Sequence, residues 1–433
     1  MSDFPPQLEI RPLTKPPHAR VRLPGSKSIT NRALVLAALT ASETSDTVLD
    51  GALESEDTEV MIESLCRLGF HVVPDWNTAQ IRVRTTNRER IIPASEADLY
   101  VANSGTSMRF LTAMVALGHG RYRLDGVPRM RERPIEDLLE ALQGLGVNAV
   151  SENRDGCPPV IIETQGLPGG WTGIMAEVSS QFLSGLLMAA PFAQGAVNIE
   201  RKGAPVSEPY VTMTVAMLRQ FGVPMGHDGH DFFCIDAPQK RKPLARYVIE
   251  PDASAASYFV GAAAITGGSI TVEGLSMDCL QGDVRFVDVL EQMGCRIEHE
   301  ADAITVHGGS LRGLDLDMNA ISDTVMTLAA VACFAEGPTT IRNVAHIRHK
   351  ETDRLAALAI ELRRIGAKVD EFPDGLTITP ASLHGATVET YNDHRMAMSL
   401  ALIGLKIPGV KIDHPACVAK TYPRFFDDLE RLR

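Results

Sequence analysis

The sequence predicts an α/β fold built from two similar domains, and two observations support this prediction. A block of Leu, two variable residues, an apolar residue and Gly recurs five times, with its glycines 77, 76, 72 and 72 residues apart. The blocks end at Gly69, Gly146, Gly222, Gly294 and Gly366. The chain has 433 residues, 45% of them hydrophobic, which is more than one ordinary core needs. A regular repeat of this length predicts a compact module of strands and helices rather than a solenoid unit.

Each block closes an amphipathic helix and opens a strand. Residues 60–65 carry the helical pattern before the first glycine, and residues 147–150 alternate apolar and polar after the second. Glycine directly after a helix is typical of a left-handed C-terminal cap. A sixth, truncated copy spans residues 425–432, so the simplest partition is three modules in each domain.

Two proline-bearing charged segments, residues 20–25 and 237–244, are candidate linkers. Two crossings between domains suggest that the strand at residues 8–12 pairs with the C-terminal half. We therefore expect a discontinuous domain of residues 1–22 with 245–433, and a continuous domain of residues 23–244. The two would be joined by a two-strand hinge.

Composition excludes several classes of protein. A net charge of -12 disfavours nucleic acid as a partner, and the longest apolar stretches, such as residues 326–335, are too short to cross a bilayer. The first residues lack the pattern of a targeting segment, and the seven cysteines form no Cys-x-x-Cys pair. We expect a cytoplasmic protein without a structural zinc site, and we expect it to be a monomer.

Residues 23–32 form a candidate anion site. A Pro-Gly turn leads through Lys27, Ser28 and Arg32 into a helical run at residues 33–39. Glycine admits a ligand close to the backbone, and hydroxyls, cations and the helix dipole favour an anion there. The alternative is a capped helix with ordinary surface charges. Neither the P-loop nor the dinucleotide-binding pattern fits this segment.

Three further segments of the N-terminal half have similar chemistry. Residues 101–110 combine hydroxyls, Gly105 and a cation at a helix start, and residues 129–134 hold three arginines after a turn. Residues 177–182 place two serines and Gln181 before an apolar helix, which suits a polyol or phosphate ligand. Simple helix caps and a solvated charged face are the alternatives.

The C-terminal half carries acids among its cations. Asp323 precedes an apolar helix at residues 325–335, and Lys350 and Arg354 are spaced i, i+4 with Glu351 one step round the predicted helix. Residues 391–396 and 419–423 add an acid, an imidazole and further cations. An exposed, salt-bridged first helical turn at residues 350–354 is the alternative.

These motifs together resemble the EPSP synthases, the 3-phosphoshikimate 1-carboxyvinyltransferases. The resemblance rests on residues 23–32, 103–109, 179–182, 281–283, 350–354 and 392–398, and runs in order from about residue 8 to the C-terminus. It implies two domains of three βαβαββ units each, an inside-out α/β barrel, with the first strand in the C-terminal domain. It also implies transfer of the enolpyruvyl group of phosphoenolpyruvate to the 5-hydroxyl of shikimate 3-phosphate, without a cofactor.

The resemblance implies roles for individual residues. Shikimate 3-phosphate would be bound by Lys27, Ser28, Arg32, Ser179, Ser180, Gln181, Ser207, Tyr210, Asp323 and Lys350. Phosphoenolpyruvate would be bound by Lys27, Gly105, Arg133, Gln181, Arg354, Arg395 and Lys420. Asp323 would act as the base for the 5-hydroxyl, Glu351 would move the proton at C3, and Lys27 would assist catalysis. Because the cations are divided between the two halves, we expect the domains to close on the substrates.

Two positions depart from the family pattern. His346 stands where some members have an asparagine that contacts shikimate 3-phosphate, and Phe110 stands where many have a proline that follows the Gly105 loop. The second change could shift the backbone of the glycine. Because Gly105 leaves room beside phosphoenolpyruvate, we still expect sensitivity to glyphosate.

Two rival functions remain. The related enolpyruvyl transferases that act on UDP-N-acetylglucosamine use a cysteine as a catalytic acid in the region that corresponds to residues 121–134. Here the nearest cysteines are Cys66 and Cys157. A non-catalytic anion-binding protein is the other rival, and the presence of both Asp323 and Glu351 disfavours it.

Overall fold

The computed structural model describes residues 4–87, 89–227 and 231–433. The chain divides into two compact units, which we call the N-terminal unit (Gly25–Ile249) and the C-terminal unit (the chain up to Pro24, with Glu250–Arg433). No helix of the described residues is long and apolar enough to span a membrane. Two strands of the C-terminal unit precede the N-terminal unit in the chain, β1 (Gln7–Glu9) and β2 (His18–Arg22).

The N-terminal unit contains the first six α-helices and the next twelve strands of the described chain. Its helices are α1 (Lys27–Thr40), α2 (Glu56–Arg67), α3 (Gly105–Val115), α4 (Glu136–Gly144), α5 (Ser180–Ala189) and α6 (Pro209–Gln220). Its strands are β3 (Thr47–Asp50), β4 (Phe70–Asp75), β5 (Gln80–Thr85), β6 (Glu96–Tyr100), β7 (His119–Asp125), β8 (Asn148–Ser151), β9 (Val160–Gln165), β10 (Gly170–Met175), β11 (Val197–Lys202), β12 (Gly226–His227), β13 (Phe232–Ile235) and β14 (Arg246–Val248). They pair as sheets of order β14-β3-β5-β4, β6-β7-β9-β8 and β10-β11-β13-β12.

The rest of the C-terminal unit repeats this organisation. Its helices are α7 (Ala253–Thr266), α8 (Phe286–Met293), α9 (Val325–Ala332), α10 (Arg354–Arg364), α11 (His394–Gly404) and α12 (Phe425–Glu430). Its remaining strands are β15 (Ser269–Glu273), β16 (Arg296–Glu300), β17 (Ala303–His307), β18 (Asp315–Asp317), β19 (Thr339–Arg342), β20 (Lys368–Phe372), β21 (Gly375–Thr379), β22 (Thr387–Val388) and β23 (Lys411–Asp413). The sheets have the orders β16-β17-β15-β2, β18-β19-β21-β20 and β1-β23-β22.

The repeated module is βαβαββ, as the family resemblance implied. In the segment from β6 to β9, α3 connects the parallel strands β6 and β7, α4 follows, and β8 and β9 form an antiparallel hairpin that returns to β7. The segments β10–β13 and β18–β21 follow the same path. The N-terminal strand also pairs with the C-terminal half as predicted, since β1 is antiparallel to β23.

The first crossing between the units, from Pro24 to Gly25, lies within the predicted linker at residues 20–25, whereas the second, from Ile249 to Glu250, lies beyond the predicted linker at residues 237–244. Residues 20–22 belong to β2, which pairs in parallel with β15. β14 pairs in parallel with β3, so residues 246–248 belong to the N-terminal unit, although the predicted boundary at residue 244 excluded them. Paired residues in β14 and β3 are 198 positions apart, and those in β15 and β2 are 251 apart, so no local pattern reveals these pairings.

The five repeat glycines have the predicted role. Their φ angles are 91°, 86°, 72°, 118° and 107° in chain order, so each has a left-handed backbone. Gly294 directly follows α8, and the other four stand one residue beyond the ends of α2, α4, α6 and α10. Glycine alone adopts this conformation at no steric cost, which explains its recurrence.

Three helices form the interior of each unit, with the sheets around them. Every residue of α3 is buried, and α1 and α5 are buried along most of their length. These three helices pack against one another, as do α7, α9 and α11 in the C-terminal unit. The strands outside them alternate, as in β6, where Ala97 and Leu99 face inward. This is the predicted inside-out arrangement.

Candidate active site

Several predicted site residues of the N-terminal unit lie at the starts of its interior helices. Ser26, Ser104 and Ser179 cap α1, α3 and α5, and each side-chain oxygen accepts a hydrogen bond from a backbone N–H of the first turn. The first turns of α1 and α3 are joined by a bond of 2.8 Å from Asn31 Nδ2 to Thr106 Oγ1. Adjacent helix starts concentrate partial positive charge, which favours anions.

Lys27 is the first residue of α1, and its ammonium lies 3.4 Å from Oδ2 of Asp57. Asp57 belongs to the first turn of α2 and is only 1% exposed. The lysine is therefore held beside a buried carboxylate at the helix start. Ser28 follows it, and its carbonyl oxygen accepts a bond of 3.0 Å from Arg32.

Arg32 is buried and forms hydrogen bonds with neutral oxygens. Its guanidinium donates to Thr214 Oγ1 at 2.7 Å, to Ser184 Oγ at 3.3 Å and to the Tyr210 carbonyl at 3.3 Å. Burial lowers the pKa of Arg32 to about 10, so it stays charged at neutral pH. Its guanidinium carbon lies 4.9 Å from the centre of the Phe110 ring. Phe110 is a buried residue of α3 whose ring packs against the Arg32 cation, a contact that aromatic rings favour.

Gly105 begins α3 in contact with two buried arginines. A Cβ atom at this position would lie 2.5 Å from Nη2 of Arg133 and 3.1 Å from Nη1 of Arg109. Arg133 donates to the carbonyl oxygen of Asn103 at 3.1 Å, and Arg109 donates to that of Pro134 at 3.1 Å. The arginines that flank Arg133 in sequence, Arg129 and Arg131, instead pair with acids near the surface.

The other predicted residues of this unit fall into two places. Ser180 and Gln181 occupy the first turn of α5, where the Gln181 N–H donates to Ser179 Oγ at 3.2 Å. Ser207 has a φ of 52°, an unusual value for a residue with a side chain, and precedes α6. Tyr210 lies in the first turn of α6, with its ring 5.8 Å from the guanidinium carbon of Arg32.

The C-terminal unit brings five of its six predicted site residues, all but Lys350, into one charged network. Arg354 donates to Asp323 Oδ1 at 3.3 Å and to Glu351 Oε2 at 2.9 Å. Arg395 donates to Asp323 Oδ2 at 2.6 Å, and the Lys420 ammonium lies 3.9 Å from Glu351 Oε1. Each of the two candidate acid/base carboxylates therefore contacts two cations.

A third carboxylate, Asp393, completes this network. It accepts a bond of 2.8 Å from Nε of Arg354 and also caps α11, through a bond of 2.9 Å from the Arg395 backbone N–H. Arg354 is fully buried, which lowers its pKa, but Asp393, Glu351 and Asp323 more than compensate and hold the pKa above its usual value. The six groups named in this network comprise three cations and three carboxylates.

The helical prediction for residues 350–354 is wrong. α10 begins at Arg354, because Asp353 caps it by accepting a bond of 3.1 Å from Ala356 N–H. Lys350 has an extended backbone after the 3₁₀ helix Ala345–His349, and Glu351 precedes the cap. The alternative of an exposed first turn also fails, since Glu351 is 8% and Arg354 1% exposed.

His346 lies beside the base candidate. Its Nε2 is 2.9 Å from Oγ of Ser322, the residue before Asp323. Burial, followed by the nearby charge of Lys350, lowers the pKa of His346 to about 3. The imidazole is therefore neutral over the physiological pH range.

Three acids near these residues had no assigned role in the sequence analysis. Asp57 and Asp393 contact Lys27 and Arg354 from distant parts of the chain, and no local pattern predicts such pairs. Asp283 belongs to the motif at residues 281–283, which contributed to the family resemblance. Burial, and then the neighbouring charge of Asp323, raises the pKa of Asp283 to about 7. Each of these acids lies beside a residue that the resemblance had selected.

Comparison with known proteins identifies the family of this chain. The sequence profile of EPSP synthase (3-phosphoshikimate 1-carboxyvinyltransferase) matches residues 13–429. The chain belongs to the EPSP synthase family. It is 49% identical to the 3-phosphoshikimate 1-carboxyvinyltransferase of Nostoc punctiforme, over 98% of this chain and 99% of that protein. It is 45% identical to the enzyme of that name from a Shewanella species, over 99% of both.

Solved structures of EPSP synthases share the fold. EPSP synthase from Acinetobacter baumannii matches with a TM-score of 0.81 at 25% identity, over 98% of each chain. The enolpyruvyl transferase NikO from Streptomyces tendae matches with a TM-score of 0.76 at 22% identity, over 98% of this chain and 97% of that one, and shows likeness of fold alone. Family membership makes the chain a transferase of the shikimate pathway, which leads to the aromatic amino acids.

Proposed function

We propose that the chain transfers the enolpyruvyl group of phosphoenolpyruvate to the 5-hydroxyl of shikimate 3-phosphate and releases phosphate. The observation that carries the proposal is the pair of carboxylates, Asp323 and Glu351, each in contact with two cations. Enolpyruvyl transfer needs a base for the attacking hydroxyl and a group that delivers and then removes a proton at C3. Two separately held carboxylates can supply both functions.

We assign Asp323 to the hydroxyl and Glu351 to C3. Asp323 belongs to the 3₁₀ helix Asn319–Thr324 and precedes α9, whereas Glu351 lies before the cap of α10. Arg354 bridges the two carboxylates, so it fixes their spacing and shields each from the other's charge. This assignment gives the addition and elimination steps different proton carriers.

The network also suggests how phosphoenolpyruvate activates its own reaction. Its phosphate and carboxylate carry about three negative charges, which compete for the cations that contact the two carboxylates. When Arg354, Arg395 and Lys420 turn toward the substrate, Asp323 and Glu351 lose stabilising partners and become stronger bases. The base would then be most active when the electrophile is bound.

The N-terminal unit offers its own group of anion-binding residues. Lys27 and the N–H groups around Gly105 lie at helix starts, where anionic phosphate and carboxylate groups bind favourably, and Arg133 lies beside Gly105. Ser28, Ser179, Ser180, Gln181, Ser207 and Tyr210 offer hydroxyl and amide groups that suit a phosphorylated polyol. Arg32 would act partly through the hydrogen bonds that hold α1 to α6, since it is 1% exposed.

A phosphate-release assay tests the proposal against both rivals. The purified chain is expected to release phosphate from phosphoenolpyruvate only when shikimate 3-phosphate is added, with 5-enolpyruvylshikimate 3-phosphate as the product by mass spectrometry. Turnover with UDP-N-acetylglucosamine instead would favour the related transferase. Binding of the phosphorylated substrates without turnover would favour the non-catalytic anion-binding protein.

We also propose that the enzyme works as a monomer in the cytoplasm. Seven free cysteines support a reducing compartment. Light scattering of the purified chain should give a mass near 46.9 kDa. A stable mass of twice that value would exclude the monomer.

A further inference from the structure

Glu361 is a buried carboxylate that the proposed chemistry does not use. It lies on α10, seven residues after Arg354, and its side chain has no exposed surface. Seven residues are about two helical turns, so Glu361 and Arg354 lie on the same face of α10. A carboxylate at such a position is costly unless specific partners hold it.

The partners of Glu361 are in the loop that leads to α11. Its Oε1 accepts a bond of 2.8 Å from the Tyr391 hydroxyl, and its Oε2 accepts one of 3.1 Å from the Glu389 backbone N–H. Arg364 lies 3.4 Å from Oε2, with nearly half of its side chain exposed. Two of the three partners thus fix the loop rather than α10 itself.

The same loop has an unfavourable backbone conformation. Tyr391 and Asn392 have consecutive φ values of 54° and 53°, in the left-handed region that residues with a side chain seldom occupy. Two such residues in succession persist only where surrounding contacts hold them in place. A bond of 2.9 Å from the Asp393 N–H to the Thr390 carbonyl closes this turn.

The turn delivers Asp393 to the charged network. One carboxylate oxygen of Asp393 accepts from Arg354 and the other from the backbone of Arg395. α10 therefore contacts the loop twice on one face, through Glu361 at the start of the turn and through Arg354 at its end. A shift of the turn would move Asp393 and, with it, both arginines.

We propose that Glu361 is a positioning residue for the phosphoenolpyruvate cations: by holding the strained turn at Tyr391 and Asn392, it sets the orientation of Arg354 and Arg395. The proposal rests on the proposed function, in which these two arginines bind phosphoenolpyruvate. Glu361 acts through Asp393 and does not touch substrate.

A graded set of variants tests this role. Tyr391→Phe removes one hydrogen bond and keeps the packing, whereas Glu361→Gln keeps an acceptor for Glu389 but removes the charge. The control variants are Arg364→Ala, which removes the partner that does not belong to the loop, and Leu358→Ala, which opens a cavity in a buried part of α10. All are compared with the wild-type enzyme.

The KM for phosphoenolpyruvate is expected to rise about threefold in Tyr391→Phe, which removes one bond to the loop, and about tenfold or more in Glu361→Gln, because an uncharged amide with a single acceptor oxygen weakens both bonds. The KM for shikimate 3-phosphate should stay within about twofold, because only the phosphoenolpyruvate cations move. Leu358→Ala should lower the melting temperature without this selective change, and Arg364→Ala should have little effect. Equal changes in both KM values, or none, in folded Glu361→Gln would overturn the proposal.

Amide hydrogen exchange measures how firmly the turn at Tyr391 and Asn392 is held, and it does not depend on enzyme turnover. Exchange at Glu389 and Asp393 should accelerate in Glu361→Gln and Tyr391→Phe but not in Leu358→Ala. If the wild-type enzyme shows no turnover, the proposed function fails while exchange still reports on the turn. If the wild type is active and exchange in the loop is unchanged, the positioning role is wrong and the function stands.

Discussion

Gly105 and Arg133 are in such close contact that no side chain fits between them. A methyl group on Gly105 would lie 2.5 Å from Nη2 and 3.1 Å from Cζ of Arg133, well inside normal contact distance. The atoms that would collide belong to the end of a flexible side chain, so the arginine rather than the helix would move. The glycine therefore sets the position of a cation that we assign to phosphoenolpyruvate.

Gly105→Ala should weaken phosphoenolpyruvate binding selectively. Displacement of Arg133 should raise the KM for phosphoenolpyruvate about tenfold, equivalent to about 1.4 kcal/mol, with little change in the KM for shikimate 3-phosphate. The melting temperature should not fall, because alanine favours a helical backbone more than glycine does. Steady-state kinetics with each substrate varied in turn would check this; an unchanged KM for phosphoenolpyruvate would contradict it.

Glyphosate should inhibit the wild-type enzyme in competition with phosphoenolpyruvate, since it carries a phosphonate and a carboxylate. Gly105 has no side chain that would displace Arg133, one of the cations that we assign to the anionic ligand, and Phe110 is accommodated within α3 against Arg32. Gly105→Ala should raise the inhibition constant along with the KM for phosphoenolpyruvate. Absence of competition at millimolar inhibitor would show that this expectation is wrong.

Lys27→Ala should abolish turnover while the fold remains. Alanine is a good residue for the first turn of α1, but it removes the ammonium that lies beside Asp57. We expect kcat to fall about a thousandfold or more, as for loss of a group that stabilises developing charge. Circular dichroism would establish folding, and Asp57→Asn, which keeps the lysine, should cost less. An active Lys27→Ala enzyme would mean that the site is misplaced.

Asp323→Asn should separate catalysis from binding. The change keeps the shape of the side chain but removes its basicity, so kcat should fall about 10²- to 10⁴-fold. The KM for phosphoenolpyruvate should stay the same or fall, because Arg354 and Arg395 no longer have this carboxylate as a competing partner. A large rise in that KM with kcat preserved would assign Asp323 to binding instead.

The burial of His346 gives stability a defined pH dependence. Its pKa falls from 6.5 to about 3 on folding, so below pH 6.5 the unfolded chain binds a proton that the folded chain does not. The stabilising contribution is present above pH 6.5 and is lost as the pH falls, by up to about 1.4 kcal/mol per pH unit. Between pH 7.5 and 5.5, the free energy of unfolding of His346→Asn should therefore fall by about 1 kcal/mol less than that of the wild type. Urea denaturation at both pH values would measure this, and equal losses would contradict it.

The modules of the fold could be predicted from the sequence because their signals are local. A helix, a glycine cap and a strand adjoin in the chain, and the left-handed φ of Gly69 and of its four counterparts confirms the pattern. Where signals were local but competing, prediction failed: Asp353 caps α10, and this cap excludes Lys350 and Glu351 from the helix that spacing alone suggested.

The candidate site could be predicted only one motif at a time. The segments that hold Lys27, Gly105 and Arg354 stood out by their residue types, but their partners did not. Asp57 lies 30 residues from Lys27, and Asp393 lies 39 residues from Arg354. Such pairs depend on how modules pack, and the burial that makes Arg32 an internal residue is likewise a tertiary property.

The pairing of β1 and β2 within the C-terminal unit has a consequence for synthesis on the ribosome. Residues 25–249 include every strand of the N-terminal unit's sheets, so that unit can fold while the rest of the chain is still being translated. β2 must wait for β15, and β1 must wait for Lys411–Asp413, about 400 residues later in the chain. Both strands thus leave the ribosome long before their partners, and during that interval their unpaired edges need protection from aggregation.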